Sequence, residues 1–159
     1  MSPCGNIHRL LWTAAILALL FMPCAGVSAN GDELDLSHHR GKVVIVDFWA
    51  SWCKPCRQSI PWLNEMRTRY GASGLIIVGV NVDAERADAE RFLREVPIEF
   101  EVVFDPQGEL AKGFGIKGMP SSYFFDRSGK MVATHLGFRN AKKAANEVAL
   151  KKLLNLSID

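Results

Sequence analysis

Excess charge of either sign is missing from this chain: 19 Lys and Arg stand against 17 Asp and Glu in 159 residues, a net charge of +2. Without a basic stripe there is no electrostatic footprint for nucleic acid. Internal repeats and low-complexity linkers are absent, which excludes solenoids and leaves one domain as the expected organisation. Long apolar runs are scarce. The stretch 10–22 falls short of the roughly 20 residues that cross a bilayer. Cysteine is scarce too, with only Cys4, Cys24, Cys53 and Cys56.

What is present at the start reads as a secretory leader over residues 1–29. It has a short polar opening with Arg9, the apolar stretch 10–22, and Val27-Ser28-Ala29 as an A-x-A-like cleavage site. Cleavage there would release residues 30–159 as one domain in the periplasm or cell envelope, long enough to bury its own core. A retained N-terminal anchor is the weaker reading. So is lipid attachment at Cys24, because Phe21-Met22-Pro23 is bulkier than such signals carry. Export would remove Cys4 and Cys24 and leave Cys53 and Cys56 alone. A close pair with no other cysteine closes too short a loop to be an effective staple, so a redox tool is the better reading.

Secondary-structure signals surround that pair. Residues 42–48 form a continuous β-branched run, expected as a central strand buried on both faces. Apolar residues at helical spacing follow over 54–69, with Pro61 expected to kink the helix. A second buried run covers 75–82, and Asp83 is placed to cap a helix over 86–96. Strand, helix, strand, helix predicts parallel pairing through a crossover. A short strand over 101–104 and a short helix over 106–114 come next. The segments 122–125 and 131–136 flank a turn with late glycine and predict a hairpin. Asn140 is expected to cap a last helix whose Ala144, Val148, Leu150, Leu153 and Leu154 cover the sheet. Alternation over 32–36 gives a possible edge strand.

The sequence Trp52-Cys53-Lys54-Pro55-Cys56 places two thiols where a strand gives way to a helix. Unpaired N–H groups at a helix start stabilise negative charge on the first sulfur, and the thiolate is the form that attacks disulfides. Lys54 adds a nearby cation. Metal capture is the rival use, but zinc wants three or four protein ligands, and His38, His39 and His135 are scattered. No metal is therefore expected. Asp47 ends the first strand. It is either a buried carboxyl of raised pKa or a strand-end Asp turned to solvent. Trp49 and Trp62 are assigned to the core, His38-His39 to a solvated turn, and Lys142-Lys143 to a solvated helix face.

The run 46–57, from Val46-Asp47-Phe48-Trp49 through Cys53-Lys54-Pro55-Cys56-Arg57, together with Pro61 and Gly115-Ile116-Lys117-Gly118-Met119-Pro120-Ser121, resembles the thioredoxin fold. Within it the chain is most similar to the exported TlpA-like thiol:disulfide oxidoreductases, over roughly residues 34–155. The resemblance implies an α/β fold with a central mixed sheet flanked by helices on both faces. It also implies reduction of protein disulfides, with no cofactor beyond the cysteine pair. A membrane thiol reductase would supply electrons to a monomer. The chain departs from the group at Ser59, where members commonly carry glutamate, and in the segment before the core, which is too short for their N-terminal hairpin. Asp47 stands where they often carry asparagine, so the acid/base function is expected to shift from helix to strand.

Residue by residue, Cys53 at the exposed helix start is expected to attack, and Cys56 beneath it to resolve the mixed disulfide. Asp47 would accept the proton of Cys56. The resemblance makes the Met119-Pro120 bond cis and gives the Met119 backbone the task of pairing with an extended substrate. Trp52 is expected in a surface docking patch, or else packed beneath the loop. Two other classes of function stay open: a metal-delivery protein using the same thiols, and a redox-silent binding module.

Overall fold

A computed structural model describes residues 34–157. The proposed leader lies outside the described residues. Five strands form one sheet: β1 (Val43–Trp49), β2 (Leu75–Asn81), β3 (Glu101–Phe104), β4 (Ser121–Phe125) and β5 (Met131–Leu136). Their spatial order is β3-β2-β1-β4-β5; β1, β2 and β3 run parallel, β4 pairs antiparallel with β1, and β5 pairs antiparallel with β4. The helices are α1 (Cys56–Tyr70), α2 (Arg86–Glu95), α3 (Glu109–Gly113) and α4 (Lys143–Leu154). Every residue of β1 is buried, as its unbroken apolar run requires of a strand covered on both faces.

Strand alternation divides that core. Val43 and Ile45 pack with Trp62, Leu63, Met66 and Tyr70 of α1 and with Leu150 and Leu154 of α4. Val44, Val46 and Phe48 face the other way, toward Leu110 and Phe114 at α3. Trp49 shares the α1 side with Ile60 and with Ala89 and Phe92 of α2. Trp49 and Trp62 are thus core residues, as expected. The helix α1 runs on through Pro61. In the hairpin turn, Asp126 Oδ1 accepts from the Ser128 and Lys130 amides, while Gly129 takes φ +80°.

Four expectations need correction. Residues 34–36 are not a strand, because Asp35 accepts from both the amide and the hydroxyl of Ser37 and folds the chain into a 3-10 turn, Ser37–His39. Asp83 does not cap α2, whose N-cap is Glu85. Asn140 does not cap α4; it opens a 3-10 turn, Asn140–Lys142, and reaches Gln58 Oε1 at 3.5 Å. Ala144 and Val148 stay exposed, while Leu150 and Leu154 are buried in the core and the partly buried Leu153 packs against it.

Candidate active site

The loop from β1 to α1 holds the two cysteines. Cys53 and Cys56 are joined by a disulfide, their Cα atoms 5.3 Å apart. Cys56 is the first residue of α1, so its N–H belongs to the set that a helix leaves without intrahelical partners. That N–H points at the Cys53 side, 3.2 Å from Sγ and 3.1 Å from the carbonyl. A donor so placed stabilises a thiolate at Cys53 when the disulfide opens. Cys56 is fully buried and Cys53 is 4% exposed. The expectation that Cys53 stands open is corrected: Trp49, Ile60 and Met119 pack around the pair. Trp52 next to it is 68% exposed, on the surface as expected.

Met119 packs against the same cluster from the segment just before β4, with Pro120 next to it in the chain. The Met119-Pro120 bond is cis, and Pro120 is buried. Ser121 Oγ donates to the Gly118 carbonyl at 2.7 Å and ties this loop to the start of β4. Ser59 is buried and donates to the Cys56 carbonyl at 3.2 Å, so a neutral hydroxyl holds the helix backbone at that position.

Asp47 is 1% exposed, which removes the solvent-turned alternative. Alternation puts its side chain on the α1 face of β1, between Ile45, which packs on α1's middle, and Trp49, which packs on Cys53, Cys56 and Ile60. Its cross-strand partner Ser122 donates to Oδ1 at 2.6 Å. Oδ2 is buried with no hydrogen-bond partner among the described residues. Burial drives the Asp47 pKa up from 3.8 to about 7, and the Ser122 hydrogen bond pulls it part of the way back. A carboxyl that titrates near neutrality can both take and return a proton.

Two supporting residues escaped sequence reasoning. Asp83, just past β2, accepts the Ser51 amide at 2.9 Å and the Ser51 hydroxyl at 2.8 Å, and Asn81 Nδ2 at 2.8 Å. Its carboxylate clamps the loop before Cys53. The only signal was a polar Asn-Val-Asp ending an apolar strand, which is indistinguishable from a helix cap without the long-range contact. Sequence alone marks Ser122 only as a strand residue, because its meeting with Asp47 depends on β1–β4 register. Among the described residues no three His, Cys, Asp or Glu side chains converge as a metal cluster.

Comparison with known proteins agrees with this geometry. Residues 21–134 match the model of the AhpC/TSA family. The chain belongs to the AhpC/TSA family. A thiol-disulfide oxidoreductase ResA of Bacillus thuringiensis subsp. konkukian (strain 97-27) is 30% identical over 124 residues, covering 78% of this chain and 70% of the relative. The crystal structure of a candidate thiol:disulfide interchange protein DsbE from Chlorobium tepidum superposes with a TM-score of 0.74 at 50% identity, covering 76% of this chain and 86% of that one. StoA from Bacillus subtilis superposes at 0.58 with 28% identity, covering 72% and 83%. Both the fold and the resemblance to thiol:disulfide oxidoreductases are therefore established, and within the AhpC/TSA family this chain stands among members so named.

Proposed function

We propose that this AhpC/TSA-family chain is an exported reductase of protein disulfides, working as a monomer through Cys53 and Cys56. The observation that carries the reading is the Cys56 N–H aimed at Cys53 Sγ at the start of α1. The Cys53 thiolate attacks one sulfur of a substrate disulfide, forming a mixed disulfide and releasing a substrate thiolate. Cys56 then gives its proton to Asp47 and attacks Cys53 Sγ, which frees the second substrate thiolate. The substrate gains two electrons and the chain is left with the Cys53–Cys56 bond. A membrane dithiol partner reduces that bond and returns the protein to its starting state, with no bound cofactor.

Substrate docks as an added strand on the Met119 backbone beside Pro120, while Trp52 contributes an exposed aromatic surface. The domain acts after removal of residues 1–29. No helix among the described residues is long and apolar enough to cross a membrane.

The test is to express Cys56→Ser in the native envelope and recover whatever stays covalently attached. Mixed disulfides with exported proteins, lost in Cys53→Ser, are expected. Absence of any adduct, together with no reduction of a model protein disulfide by the purified wild type, would overturn the reading.

A further inference from the structure

A cavity of ≈ 330 Å³ opens beside the end of β5, lined by Thr134, His135, Leu136, Arg139, Lys142 and Asn146 among others. No carboxylate lines it. Several exposed arginines elsewhere are matched by carboxylates: Arg57 with Glu95, Arg69 with Glu65 and Glu147, Arg86 with Glu90, Arg91 with Asp88. Arg139 and Lys142 are in no ion pair among the described residues. Lys142 lies close enough to His135 to depress its proton affinity, second to the effect of burial. Positive groups gathered in a cleft with no counter-charge focus a field that attracts an anion.

The cavity adjoins the cysteine site. Leu136 pairs with Ser121, and the Gly137 amide donates to the Pro120 carbonyl at 2.8 Å. Leu136 is 63% exposed and its Cδ1 lies 3.5 Å from where a Cβ on Gly118 would sit. On the other side Asn140 reaches Gln58, in the first turn of α1. A polypeptide lying on the Met119 backbone would cross Leu136 and meet Arg139 and Lys142 a few residues later, at about 3.3 Å per residue.

We propose that this pocket is a specificity subsite for an acidic side chain, Asp or Glu, flanking the disulfide of the substrate polypeptide. The inference rests on the reductase reading and names part of its substrate class. Guanidinium and ammonium donors from Arg139 and Lys142 would hold the carboxylate, with Asn146 and His135 as further polar partners.

The experiment compares two disulfide-bonded peptides that differ only in flanking Glu against Gln, reduced by the full exported domain at low and high salt. The Glu peptide is expected to be reduced about 3- to 10-fold more efficiently in kcat/KM at low salt, with the advantage shrinking at high salt. In Arg139→Gln/Lys142→Gln the ratio falls to about 1, whereas Lys151→Gln/Lys152→Gln, with the same loss of charge in the last turn of α4, retains it. A ratio of 1 in the wild type, or an equal fall in both double variants, would overturn the subsite. If neither peptide is reduced, the reductase reading fails, and binding of the same peptides to Cys53→Ser/Cys56→Ser decides the pocket. Tighter binding of the Glu peptide that Arg139→Gln/Lys142→Gln abolishes supports it. Equal affinity sinks it.

Discussion

The two ends of β1 are built on opposite principles. At the end where the strand begins, polar groups are paired: Arg127 donates to the carbonyls of Gly41 at 2.7 Å, Ser73 at 3.1 Å and Leu154 at 3.5 Å. Its own carbonyl accepts the Gly41 amide at 2.9 Å. One side chain thus ties the hairpin turn to the loop before β1, the end of α1 and the end of α4. At the other end, Asp47 Oδ2 and Trp49 Nε1 are buried without partners. Buried polar groups are normally satisfied, and exceptions concentrate where a protein does chemistry. Stability is gathered at one end, and a costly, titratable group is kept at the other.

The sharpest way to break this contrast is at the cysteines, where Cys53→Ser should remove turnover entirely while leaving the fold intact. Next comes Asp47→Ala. Loss of a general base is worth about 10²-fold or more, so decay of a preformed mixed disulfide in single turnover should slow by that order. Alkylation of Cys53 should continue, and an unchanged decay rate would remove Asp47 from the mechanism. At the opposite end, Arg127→Ala should lower stability by about 2–3 kcal/mol, read as a shift of the urea midpoint, because it strands several carbonyls that a charged donor satisfied. Turnover in the absence of denaturant should hold.

Asp47 also makes a prediction about pH. Its folded pKa of about 7 lies above its ordinary value of 3.8, so the folded state holds the extra proton between those values. Stability contributed by that proton is full below the unfolded value and lost as pH rises through 7. Asp47→Asn should therefore be more stable than wild type at pH 8, by about 1–3 kcal/mol, with the difference closing toward pH 4. An equal gap at both pH values would contradict the buried carboxyl. The smallest effect is expected from Ser122→Ala. Removing its hydrogen bond raises the Asp47 pKa further, moving the pH profile of the resolving step upward and slowing it only a few-fold at neutrality.

Much of the fold was legible because it is written in local pattern. The β-branched runs of β1 and β2, the glycine-bearing turn after Phe125 and the cysteine motif between strand and helix each state their own structure. The Asp-Glu-Leu-Asp-Leu alternation misled because a strand needs a partner, and Asp35 found one in Ser37 two residues away. Asp83 and Ser122 were illegible for the opposite reason, since their partners Ser51 and Asp47 are distant in sequence and adjacent only through sheet register. Lys142 read as a solvated helix residue because nothing local brings Arg139 and His135 beside it. Met119 and Pro120 were recognisable only through resemblance, their nearness to the cysteines being a property of the whole sheet.

The most direct measurement is the pH dependence of iodoacetamide alkylation at Cys53 in Cys56→Ser. With the residue 56 N–H on its sulfur at a helix start, Cys53 should titrate well under the roughly 8.5 of a free thiol. A midpoint near that free value would contradict the claim that the start of α1 makes Cys53 the nucleophile.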